Sequence, residues 1–194
     1  TTTKASLLQK RLRDFGKAGV EWVVVETSSH SLAQHRVWGV PYEIAVMTNV
    51  THDHLEYHGT FEKYLDAKRQ LFVLANKKGL RYGVVNNDDP NAKLFIDSVK
   101  NATTYGIISG DLQAKDINLT NQGSTYSVDV EGDHYDISVS IPGEFNVSNS
   151  LAAIAVGRKL GLSVEQIQNG IASLKFVEGR MNAIDEGQDF KIIV

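Results

Sequence analysis

Apolar side chains recur at helical spacing near the start of the chain. Leu7, Leu8, Leu12 and Phe15, with basic residues between them and Gly19 as a stop, predict a surface helix over residues 4–17. A continuous β-branched run follows over residues 22–25 and ends on Glu26. A strand covered on both faces reads this way, so this run is expected to be the first buried strand of a parallel sheet. A short helix is expected over 32–37 and a second strand over 43–49. Thr60 can N-cap a helix reaching about residue 76, with Phe61, Tyr64, Leu65, Leu71, Phe72 and Leu74 as its apolar stripe. Strands over 81–86 and 103–108 alternate with helices, one of them starting at Pro90, and that alternation indicates a parallel sheet.

The pattern then changes. Residues 115–120, 125–130 and 135–141 alternate apolar and polar side chains, with turn residues at Asn121 to Ser124 and at Glu131 to Asp133. This predicts an antiparallel meander within residues 111–141. Pro142 and Gly143 lead into a helix rich in small and apolar residues that ends near Gly161. A second helix over 163–174 opens on a Ser163 to Gln166 capping box, and a last hairpin turns at Glu186 and Gly187. The expected fold is α/β, a mostly parallel sheet flanked by helices with a small antiparallel sheet attached, all in one domain over 1–194.

Composition narrows the function. At 194 residues and 42% hydrophobic content the chain can bury a real core. A net charge of -3 gives no general field for nucleic acid or an anionic membrane, so neither is expected as a partner. With no cysteine, a metal would need His, Asp, Glu or a modified side chain, and a reducing cytoplasm is the expected location. No apolar run approaches the roughly 20 residues of a membrane span. The abrupt start at Thr1 and the stop inside the apolar run Phe190 to Val194 suggest a piece of a longer protein.

Candidate chemistry gathers between residues 23 and 72. Glu26 at a strand end is open between a turn-capping acceptor and a hard metal ligand. Ser28, Ser29, His30 and Ser31 offer hydroxyls and an imidazole ahead of Gln34 and Arg36, which taken alone read as a capped helix with a solvated arginine. His54 and His58 are four residues apart and could share a helical face with a metal, but Gly59 and Thr60 favour a loop of hydrogen-bonded surface histidines. Lys68 falls on the apolar side of its helix, where an ammonium must pair with an acid or lose its charge.

Taken in order, several motifs resemble one family: Glu26-Thr27-Ser28-Ser29-His30, Gln34-His35-Arg36, Thr48-Asn49, Asp53-His54-Leu55-Glu56-Tyr57-His58-Gly59 and Ala67-Lys68. Asn86 with Asp88-Asp89, Pro142-Gly143 with Phe145 to Asn149, and Gly179-Arg180-Met181 continue the match. The whole chain resembles the central domain of the Mur ligases, in the branch that adds the third amino acid to UDP-N-acetylmuramoyl-L-alanyl-D-glutamate. That resemblance implies ATP-dependent amide formation in peptidoglycan synthesis, through an acyl phosphate, with diaminopimelate or lysine as the incoming amine. It implies that Glu26, His54 and a carbamylated Lys68 hold magnesium. Thr1, Thr2, Ser28, Gln34 and Arg36 would contact the UDP-muramoyl dipeptide. Asn146 would meet the adenine, Arg180 the terminal phosphate, and Asn86 and Asp88 would shape the nucleotide side.

The chain departs from the family in two large ways. The Gly-rich phosphate loop and the C-terminal, amino-acid-binding domain are absent, so the 194-residue piece is expected to lack ligase activity by itself. His52 stands where an arginine is common, and Ser31 where glycine or alanine is usual. The alternatives are a folate polyglutamate or cyanophycin-type ligase of the same superfamily, or a non-catalytic module that binds a muramoyl nucleotide.

Overall fold

The computed structural model describes residues 2–177, 183–184, 187–190 and 192–193. Its contacts divide the chain into two units. The first comprises residues 1–45, 49–83 and 93–102, and the second residues 46–48, 84–92 and 103–194. A four-stranded sheet runs in the order β1 (Ile44–Met47), β2 (Tyr82–Asn86), β3 (Asn101–Gly106), β4 (Leu112–Gln113). Among the described residues no helix is long and apolar enough to cross a membrane.

In the first unit, α1 (Ala5–Lys17) lays Leu8 against Leu32 and Val37, and Val25, Leu71 and Leu74 complete that cluster. The helix α2 (Ser29–Ala33) starts three residues earlier than its apolar pattern suggests, because Ser28 is the N-cap and accepts from the Ser31 amide. The helix α4 (Phe61–Ala75) is capped by Thr60 as expected and buries Tyr64, Ala67, Phe72 and Ala75. Phe72 meets Phe95, on α5 (Ala92–Ile96), edge-on at 5.2 Å between ring centroids. The close approach requires Gly83, where a Cβ would fall 2.9 Å from Phe72 and 2.8 Å from Val99.

Residues 22–25 overturn one expectation. The segment is not a strand, and Trp22 and Val24 are 55% and 99% exposed. β-branched residues favour an extended backbone, but a strand also needs a neighbouring ladder, and none is described beside this run. β1 is therefore an edge of the sheet, and its Val46 is exposed between buried Ala45 and Met47.

In the second unit, β3 and β4 pair in parallel, with Tyr105 opposite Leu112. The antiparallel sheet then runs β5 (Lys115–Thr120), β6 (Gly123–Val130), β7 (Asp133–Val139), so the meander begins after β4 rather than at residue 111. Its apolar face, Tyr126, Val128, Tyr135, Ile137 and Val139, is buried. The helix α6 (Glu144–Lys159) buries seven side chains or glycines along its length, Val147, Leu151 and Ile154 among them. Tyr126 and Ser150 share a buried hydrogen bond of 2.6 Å. Arg158 reaches Glu131, Asp133 and the Tyr135 hydroxyl, fastening the β6–β7 turn to the end of α6. The helix α7 (Val164–Ser173) carries the expected capping box, both halves of which are formed. The last hairpin survives as a short ladder, β8 (Ala183–Ile184) against β9 (Ile192–Ile193).

Candidate active site

The first unit assembles a polar corner from its chain start, α2 and the one-turn helix α3 (Leu55–His58). Thr2 is buried and works in two directions. Its Oγ1 donates to the Glu26 carbonyl at 2.8 Å and accepts from the Ser28 amide at 3.0 Å. Ser28 Oγ accepts from the Ser31 amide at 3.2 Å, and Ser31 Oγ returns a 2.6 Å bond to the Ser28 carbonyl. These bonds satisfy turn groups that would otherwise be orphaned, so the Glu26 backbone and the capped turn are held in one register.

Beyond the turn, Gln34 and Arg36 are joined. Arg36 Nε donates to Gln34 Oε1 at 2.8 Å, Nη2 donates to the same oxygen, and Nη1 reaches the Thr2 carbonyl at 3.4 Å. Gln34 Nε2 in turn donates to the Tyr57 hydroxyl at 3.1 Å. The arginine is therefore not a loosely solvated side chain.

The segment around His54 also differs from its loop reading. Residues 55–58 form a helical turn, closed by bonds from the His58 amide to the His54 carbonyl and from Gly59 to Leu55. His54 begins it in a left-handed conformation, φ 54°, and its amide donates to Asp53 Oδ1 at 2.8 Å. His54 Nδ1 lies 3.5 Å from Asp53 and 3.6 Å from Glu56. His58 is buried rather than on the surface, with Nε2 3.0 Å from the buried Ser29 hydroxyl. Lost hydration pushes His58 below the ordinary imidazole value. Charge on His30 and His54 lowers it further, and Glu56 opposes them.

His30 stands at the centre of these rings. Its centroid is 4.2 Å from Tyr57, 4.7 Å from His54 and 5.5 Å from His58. Tyr64 extends the row, 6.3 Å from His54, and Lys68 places its amine 5.3 Å from the Tyr64 centroid. Lys68 is half-buried as its helical position predicts, but the ring face meets part of the cost of an inward ammonium. Burial and the Asp53 charge both push the Tyr64 hydroxyl up. Thr2, Glu26, Ser28, Gln34, Arg36, His54 and Lys68 thus belong to one continuous set of contacts in this unit. Among the described residues no group of three His, Asp or Glu is placed to hold a metal ion. A groove of about 670 Å³ opens beside Tyr57 and His58, between Leu32 and Trp38 on one wall and Ala67 and Leu74 on the other.

Asn86 and Asp88, two of the residues expected at a nucleotide, lie in the second unit by the C-terminal ends of β2 and β3, where open α/β sheets bind ligands. Asn86 donates to the Thr48 carbonyl at 2.8 Å and accepts from the Asp88 amide at 3.0 Å. The Asp88 carboxylate accepts from the amides of Ile107, Ile108 and Ser109 at 2.6, 3.1 and 3.0 Å. Gly106 makes room for this cradle, since a Cβ there would sit 2.2 Å from the Ser109 carbonyl oxygen and 2.7 Å from Asp88. Asn146 Nδ2 donates to the Pro142 carbonyl at 2.9 Å. Thr1 and Arg180 lie outside the described residues.

Sequence reasoning singled out Ser29 and His30 for their polar groups but gave Tyr57 no role of its own. Its signal is its spacing behind His54, which acquires meaning only once residues 55–58 are helical.

The family described as the Mur ligase middle domain matches residues 1–157. The UDP-N-acetylmuramoyl-L-alanyl-D-glutamate--2,6-diaminopimelate ligase of Geobacillus kaustophilus is 38% identical over 200 residues, spanning 100% of this chain and 41% of that protein. The ligase of the same description from Halalkalibacterium halodurans is 36% identical, over 100% of this chain and 40% of its own length. The chain thus spans about two fifths of the curated relatives it matches. A solved diaminopimelate ligase of that description superimposes with a TM-score of 0.86 at 33% identity, over 95% of this chain and 39% of its own. A MurF ligase from Thermotoga maritima in complex with ADP matches with a TM-score of 0.66 at 26% identity, over 77% of this chain and 34% of its own.

Proposed function

The chain belongs to the Mur ligase family, through its middle domain, and from that premise we propose that the full-length protein adds diaminopimelate to UDP-N-acetylmuramoyl-L-alanyl-D-glutamate at the expense of ATP. In this reading the D-glutamyl side-chain carboxylate attacks the terminal phosphorus of ATP and ADP departs. The amine then attacks the acyl carbon and phosphate leaves. The observation that carries the reading is the corner itself: the backbone of Glu26, a capped serine turn and an oriented arginine locked together through Thr2. A guanidinium held in this way suits a carboxylate or phosphate of the muramoyl nucleotide, because its planar fork can bind two oxygens at once.

Magnesium would be held by the Glu26 carboxylate and the His54 imidazole, with a carbamate on Lys68 as a further oxygen donor. The carboxylate and carbamate oxygens fit a hard cation that keeps several waters and leans on substrate phosphates, with the imidazole as a softer third donor. Such an ion supplies charge neutralisation where the phosphoryl group moves. Thr1, Thr2, Ser28, Gln34 and Arg36 are assigned to the muramoyl dipeptide. Asn146 and Arg180 are assigned to the nucleotide, and Asn86 and Asp88 to shaping its surroundings.

The test is phosphate release by the full-length protein with ATP and the muramoyl dipeptide, with diaminopimelate, lysine or no amino acid added. Release that requires both the dipeptide and diaminopimelate is expected. Turnover with lysine in preference to diaminopimelate would overturn the choice of amine, and ATP cleavage indifferent to the dipeptide would overturn the reading as a whole.

A further inference from the structure

Arg36 and α3 are linked through Gln34. A guanidinium has five N–H donors. Three of the five are committed here: Nε and one Nη2 hydrogen to Gln34 Oε1, and one Nη1 hydrogen to the Thr2 carbonyl. That leaves two, one on each terminal nitrogen, for an anionic group.

The arrangement depends on Gln34 presenting its oxygen, not its amide nitrogen, to the arginine. A glutamine carboxamide can flip at little intrinsic cost, and a flipped amide would set donor against donor at Arg36. Arg36, which has only donors, turns the oxygen toward itself, and Tyr57 anchors the other end of the carboxamide, its hydroxyl accepting the Gln34 Nε2 hydrogen at 3.1 Å. The Tyr57 ring is set in turn by His30, 4.2 Å away. Tyr57 is 44% exposed, so burial alone does not explain its placement.

We propose that Tyr57 is a positioning residue which, through Gln34, holds the Arg36 guanidinium with its terminal N–H pair open to an anionic group of the muramoyl nucleotide. The inference rests on the proposed reading of Arg36 as a substrate contact. It goes further by assigning a function to a residue that does not touch the substrate, and by making Gln34 a two-ended link.

The experiment compares KM for the UDP-muramoyl dipeptide, KM for ATP and kcat in the full-length protein for Tyr57→Phe, Arg36→Ala and the double variant. Tyr57→Phe keeps the ring on His30 and removes only the hydroxyl. Loss of one neutral hydrogen bond predicts about a three- to tenfold rise in KM for the muramoyl dipeptide, with kcat and KM for ATP unchanged. In the Arg36→Ala background the same substitution should have no further effect. A Tyr57→Phe protein with unchanged KM beside an Arg36→Ala protein with raised KM overturns the link while leaving the function intact. An Arg36→Ala protein with unchanged KM overturns the assignment of Arg36 itself. Equal effects of Tyr57→Phe with and without Arg36 would show that the hydroxyl acts independently of the arginine, which also defeats the proposal.

Discussion

Asp88→Ala should loosen one loop and leave the rest of its unit in place. In the native protein the carboxylate collects the amides of Ile107, Ile108 and Ser109 at 2.6, 3.1 and 3.0 Å. Hydrogen bonds to a charged acceptor contribute about 1.5–3 kcal/mol each when water is excluded. Asp88 is only half-buried, so water replaces part of what is lost, and about 1 kcal/mol per bond is the better figure. The three bonds together then hold the loop by about 2–4 kcal/mol, which corresponds to a roughly 30- to 1,000-fold change in local opening. Hydrogen–deuterium exchange followed by NMR reads this directly. The amides of residues 107–109 should speed up by that factor, while those of Tyr126 and Val128, in a different sheet, should not change. Asp88→Asn should not restore protection, because one end of its amide presents donors to amides that need acceptors. Exchange at 107–109 within about twofold of native in Asp88→Ala would refute the idea that this carboxylate organises the loop.

The two perturbed histidines give predictions of opposite sign. His58 is lowered in the folded state by burial first, so the unfolded chain binds its proton more readily. Stability should be level above the ordinary imidazole value of about 6.5 and fall as pH drops below it, and urea midpoints for His58→Gln should show a shallower acid slope; parallel slopes would count against the assignment. His134 is raised, chiefly by its hydrogen bond to Asp129 and then by Asp136. Its stabilisation is present below about 6.5 and lost as pH climbs through the raised value, and an NMR titration of Asp129→Asn should move His134 back toward the ordinary range.

Much of this architecture can be read in the sequence, and the exceptions share a cause. The helices α4 and α7 appear where their caps and stripes place them, since Thr60 and Ser163 are local signals that act on neighbouring amides. The alternating strands β6 and β7 are equally plain, because one face is buried and the period of two shows it. Residues 22–25 mislead because apolar β-branched composition reports a preference for extended backbone and not the presence of a partner strand. His58 misleads for a related reason. Nothing in its neighbours along the chain announces that Ser29, 29 residues away, will meet its ring. The residues of the candidate site could be selected from the motifs, but the Tyr57–Gln34–Arg36 link could not, because its order depends on which end of an amide faces which donor.

Donor counting changes what these polar residues can offer a ligand. Thr2 has one hydroxyl hydrogen, and it is spent on the Glu26 carbonyl. Toward an anion Thr2 Oγ1 is therefore only another lone pair, and it can receive a carboxylate or phosphate only by releasing Glu26. Ser28 is placed differently. Its Oγ accepts from the Ser31 amide, which leaves its own hydrogen to give. Asn146 spends one Nδ2 hydrogen on Pro142 and keeps the other together with its carbonyl oxygen, a donor beside an acceptor of the kind that reads the edge of a nitrogen base. An alanine at Thr2 would unfasten the turn that presents Ser28, and one at Asn146 would release the 142–146 corner. Activity lost in either variant therefore does not separate holding the turn from holding the ligand. Thr2→Ser keeps both bonds of Thr2 and loses only a methyl group, so Ser28 should be presented as before, whereas Asn146→Asp loses the donor to Pro142 together with the donor left for a ligand and disturbs both.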